Sequence, residues 1–294
     1  MILGKLRRSA PMAFALLLTA GCAAQRIENA GRLADAGVAF ADSVPAVIDE
    51  SFVLAVTADS LTIAKARENL PQADRLETLK ASDDALTARL AILLDLKHHA
   101  QLLRSYFIAL GALAKTDAAT GITGSTQNIV AKLSDLGLKI GDEKIGPAKI
   151  SDLIEPAVNF AVAAYQNIAL RRELEERGHA IERELALQQA VLAALTDQMM
   201  ADKALQIRVE NRNPLVLQYA GAGALPSDWN ARRIAAFRQT INLQSLDVAA
   251  KAADNLHQSW IAFAEDRLDD ASFLRLLKDV DDLLAEAEKL RANS

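Results

Sequence analysis

Apolar residues recur at the spacing of an amphipathic helix along almost the whole chain, and this pattern predicts helices packed face to face. A first helical segment is expected over 26–69. Pro45 interrupts it, and Ser43 is placed to cap a restart. A second helix begins near Pro71, with Leu79, Leu86, Leu90, Leu93, Ala100, Phe107 and Leu110 as its stripe. It should end before "TDAATGITGS", a run of turn residues. Residues 117–150 break the pattern: a short helix over 125–136 stops at Gly137, and "LKIGDEKIGPAKI" follows. That stretch reads as a loop in preference to a hairpin turning at Gly141-Asp142, because so short a hairpin is marginal alone.

The longest helix is expected over 151–209, capped by Ser151, with Leu170, Leu174, Gly178, Ile181, Leu185, Gln188, Leu192 and Leu195 on its buried face. At 1.5 Å per residue it would be roughly 85 Å long, wider than a compact ball of this many residues. Residues 210–227 read as a loop. A fourth long helix starts at Ser227 or Asp228 and turns Ile234, Phe237, Ile241, Val248, Ala252, Leu256, Trp260 and Phe263 inward. A last helix covers 270–292. The fold class is all-α, an elongated antiparallel bundle of long helices in one domain over 22–294, because short links make sequential helices antiparallel neighbours.

The first 21 residues stand apart. Lys5, Arg7 and Arg8 precede an apolar run over 10–20, too short to span a bilayer and shaped like a secretory signal. Thr19-Ala20-Gly21-Cys22 follows, and Cys22 is the chain's only cysteine. This signal region resembles the lipobox of bacterial lipoproteins. The resemblance implies cleavage between Gly21 and Cys22, a diacylglycerol on the Cys22 thiol, and acylation of the new amine. Several acyl chains hold a protein on a membrane where one does so only marginally. Ala23 after the anchor implies sorting to the inner leaflet of the outer membrane, facing the periplasm.

Cleavage there removes three of the 33 Lys and Arg and none of the 38 Asp and Glu, taking the net charge from −5 to −8. Such a chain has no electrostatic grip on nucleic acid or on anionic lipid. The membrane is therefore reached through Cys22, and partners are envelope proteins met through helix faces.

Chemistry is sparse. "GITGST" and "GAGALP" lack both the preceding strand and the remaining residues of a phosphate-binding loop. Three histidines follow an acid by three positions, as Asp95–His98, Glu176–His179 and Asp254–His257, a spacing that shares one helix face. Of these, His257 beside Trp260 is the one placed for partial burial. "GHAIE", residues 178–182, is similar to the Gly-x-His-x-x-Glu motif of the imelysin family, helical and often lipid-anchored periplasmic proteins tied to iron uptake. His179 and Glu182 are the matching positions. The favoured reading has no catalytic residue, no metal and no cofactor. It is a lipid-anchored envelope protein with a structural or interaction role. The alternative is a metal- or small-ligand-binding lipoprotein using His179, Glu182, His257 and Asp254.

Overall fold

A computed structural model describes residues 10–115, 122–145, 148–154, 161–162, 167–241 and 247–292. The protein is an all-α bundle. Its helices are α1 (Ala10–Asn69), α2 (Arg75–Lys115), α3 (Ile122–Asp142), α4 (Ile150–Leu153), α5 (Ile168–Gln206), α6 (Asn213–Ala220), α7 (Trp229–Ile241), α8 (Asp247–Ala264) and α9 (Asp270–Ala292). A π-helix, Ile207–Arg212, joins α5 to α6, so one rod runs from Ile168 to Ala220. It is about 80 Å long at 1.5 Å per residue, which makes the body elongated.

Side-chain bridges fix the helix directions. Lys97 reaches Asp49 at 2.7 Å and Arg104 reaches Asp42 at 2.6 Å, so α2 runs back along α1. Arg89 pairs with Asp202, and Asn167 donates to the Leu113 carbonyl, which sets α5 antiparallel to α2 and parallel to α1. Trp260 Nε1 donates to the Gly178 carbonyl at 3.1 Å and Gln189 donates to Asp254 at 2.8 Å, so α8 descends along α5. In α9, Arg291 donates to the Asp42 carbonyl at 2.7 Å, and Arg32 lies over the Phe273 ring. The last helix thus lies beside the first. The core gathers around Trp260, whose ring meets Tyr106 and Phe107 edge-on at centroid distances of 6.0 and 6.2 Å. A Cβ at Gly37 would overlap the Phe107 ring, so glycine there lets α1 approach α2 closely.

Several boundaries differ from the sequence expectation. α1 passes through Pro45 without a break. Ser43 does not cap a restart; its Oγ donates back to the Ala39 carbonyl at 2.8 Å. Phe40, Val44, Val47 and Ile48 are all buried on this stretch, and their packing outweighs one missing backbone donor. α3 does not stop at Gly137. A Cβ at that glycine would lie 2.5 Å from Glu184 Oε2, so the residue serves a close approach and not a helix end. The loop expected over 138–150 is the end of α3 followed by a small hairpin. Strand β1 (Lys144–Ile145) pairs with β2 (Ala148–Lys149), beyond Gly141-Asp142.

The long helix does not start at Ser151. It starts at Asn167, whose side chain accepts from the Leu170 N–H at 3.0 Å. Pro156, which the sequence places near the start of the helix expected from Ser151, lies outside the described residues. The loop expected over 210–227 is helical to Ala220: Pro214 sits in the first turn of α6, and the Gly221 N–H closes it on the Leu217 carbonyl. Ile234 is exposed, not inward, while Ala252, Leu256, Trp260 and Phe263 are buried. The side chains of Phe237 and Ile241 lie outside the described residues.

Candidate functional site

Helix α5 carries a row of polar groups into the core. Glu173, Glu182, Glu184 and Gln188 are all buried, and each finds its partner on a neighbouring helix or one turn away. His99 of α2 is wholly buried. Its Nε2 lies 2.8 Å from Glu184 Oε2 and its Nδ1 3.1 Å from Gln188 Oε1. On the other side of α5, His257 of α8 sets Nε2 3.1 Å from Glu182 Oε1 and Nδ1 2.9 Å from Gln189 Oε1. Nearer the start of α5, Glu173 accepts from Thr126 at 3.0 Å and from Arg177 at 2.6 Å.

Burial, opposed by Arg177 and Thr126, pushes the Glu173 carboxyl above the usual range. Burial, and then the Glu173 charge, hold the Tyr106 hydroxyl well above its ordinary value. Buried polar groups are costly unless hydrogen-bonded, and these contacts fix the rotation of α2, α3 and α8 against α5.

The residues singled out in the sequence fall in different places. His179 is exposed, whereas Glu182, three residues on, is 1% exposed. The two therefore do not share a solvated face, and Glu182 turns to His257. Asp254 is half-buried and accepts from Gln189. His98 is exposed, and Asp95 pairs with Lys139 at 2.6 Å. Among the described residues, no three His, Cys, Asp or Glu side chains are arranged to hold a metal ion. Cys22 lies within the α1 backbone, and its side chain is outside the described residues.

His99 escaped the sequence reading, although it lies in phase with Leu96, Ala100 and Leu103 on the buried stripe of α2. A cleft of about 340 Å³, lined by four alanines with Leu153, Gln189 and Asp197, includes His257 in its wall. Both ring nitrogens of His257 are already committed to Glu182 and Gln189, which leaves neither for a substrate.

A different kind of surface forms where the rod leaves the bundle. The π-helix, α6 and α7 enclose a cleft of about 600 Å³ with Leu215 and Ala236 buried at its floor. Trp229 donates its indole N–H to the Leu215 carbonyl at 3.1 Å, which fixes the ring. Tyr219 stacks on it, centroids 6.0 Å apart and planes 29° apart. Arg233 lies 5.5 Å from the centre of the same indole. Arg208 and Arg212, one turn apart on the π-helix, complete the wall. Among the described residues, three arginines and no acid line this cleft, in a chain of net negative charge. π-Helical turns are rare and concentrate at functional sites.

No protein-family model, no curated protein and no solved structure matches the chain.

Proposed function

We propose that this is a lipid-anchored protein of the bacterial envelope that holds a binding head away from the membrane on a helical stalk. Its role is interaction, with no reaction of its own. The observation that carries this reading is where the exposed apolar and aromatic groups sit. Val216, Leu217, Tyr219, Leu225 and Ile234 are all exposed within α6, α7 and their link, and such a gathering marks an interaction surface. The head lies at the far end from Cys22. From Cys22 to Ser51 is about 44 Å along α1, where Ser51 meets Met199 of the parallel α5; Arg212 lies about 20 Å further on. An anchor at Cys22 therefore puts the cleft roughly 60 Å from the lipid.

Two measurements test the reading. Wild type should fractionate with the outer membrane, and Cys22→Ser should accumulate unprocessed or soluble. A photo-crosslinking residue at Val216 should trap an envelope component, while one at exposed Glu175 on the stalk should trap none. Wild type free in the periplasm, or equal trapping from both positions, overturns it.

A further inference from the structure

We propose that the head cleft binds a sugar ring bearing an acidic substituent. The inference rests on reading the head as the binding end, and not on the lipid anchor. Charge comes first. Arg208, Arg212 and Arg233 line the cleft, and among the described residues no acid does. Arg208 is exposed. Guanidinium groups bind carboxylate and phosphate through two parallel hydrogen bonds, so the cleft suits an anion.

Shape decides what the anion is attached to. The indole N–H of Trp229 is committed to Leu215, leaving the ring to act through its apolar surface. Tyr219 already stacks against Trp229, so no slot stands open between them for a third flat ring. A puckered sugar, whose C–H groups pack on an exposed aromatic face, needs no slot, and Tyr219 is 70% exposed. The cleft's 600 Å³ fits a small ligand of one or two rings. Leu215 and Ala236 supply the apolar floor, and the arginines supply the pole for the substituent.

The two tryptophans make the test direct. Trp260 is fully buried in the bundle core, so a fluorescence change on ligand addition reports Trp229. The full chain in detergent is titrated with N-acetylmuramic acid, which carries a carboxylate, with N-acetylglucosamine 1-phosphate, and with neutral N-acetylglucosamine. At least one acidic sugar should give a saturable change with a Kd below about 1 mM. The neutral sugar should bind at least tenfold more weakly. Which acidic sugar binds identifies the anion as carboxylate or phosphate. Arg208→Ala, at an exposed position, should weaken binding about tenfold with an unchanged circular dichroism spectrum, and Trp229→Phe should abolish the signal. Equal binding of the neutral sugar, binding indifferent to Arg208→Ala, or response to none of the three overturns the proposal. If none binds while Val216 still crosslinks, the acidic sugar falls and the binding head stands.

Discussion

At the scale of single residues, the polar contacts of α5 are the sensitive points of the core. His99 has no exposed surface and bridges Glu184 and Gln188. His99→Ala should cost about 2–4 kcal/mol, because it opens a cavity and strands two buried polar groups at once. Urea denaturation measures this, and a loss under about 0.5 kcal/mol would mean that the pair is not formed. Glu173 makes a signed prediction. Its folded pKa lies above the ordinary value of 4.5, with burial the main cause. The folded state therefore holds the proton more tightly than the unfolded chain. This contribution is fully present below about pH 4.5 and is lost as pH rises through the folded pKa. Glu173→Gln removes that titration, so its stability relative to wild type should climb as pH rises above 4.5. A difference independent of pH would contradict the burial argument.

At the scale of elements, helix content and the α5 stripe are legible in the sequence, while the boundaries are less so, and the α2 stripe holds only from Leu93 onward: Leu79 is exposed, and Leu86 and Leu90 are half-buried. Every position named on the α5 stripe, from Leu170 to Leu195, is buried. The boundaries differ where a residue's usual local meaning gives way to a tertiary one. Pro45 and Gly137 read as breakers, yet one is held by the packing of α1 and the other makes room for the Glu184 carboxylate. Pro214 read as a loop residue, yet it opens α6. The site was less legible because its parts come together only through the fold. His99 and Glu184 lie 85 residues apart, and the head joins a π-helix to two short helices that periodicity did not separate. The α1–α2 tip shows the same dependence on packing: from Asp59 to Ala91 no side chain is buried. Hydrogen exchange across this tip should be faster than across 170–195 by on the order of 100-fold or more. Equal protection would show that something covers the tip in solution.

For the whole molecule, elongation is the property most easily measured. A compact chain of about 270 residues has a radius of gyration of about 18–19 Å, and small-angle scattering of residues 23–294, which lack Cys22, should exceed it clearly. A value in the compact range would contradict the 53-residue rod from Ile168 to Ala220.

The pairing of the first helix with the last sets the order of assembly. Arg291 on α9 meets Asp42 on α1 across 249 positions of sequence. Phe273, Leu276, Val280 and Leu283 close over the core that Leu33 and Phe40 begin. Loop closure over such a span is slow, and no part of this contact forms before the C-terminus exists. A chain made from its N-terminus would present Leu33 and Phe40 to water until the 23 residues of α9 were in place. Truncation before Asp270 would leave that face of the core permanently uncovered.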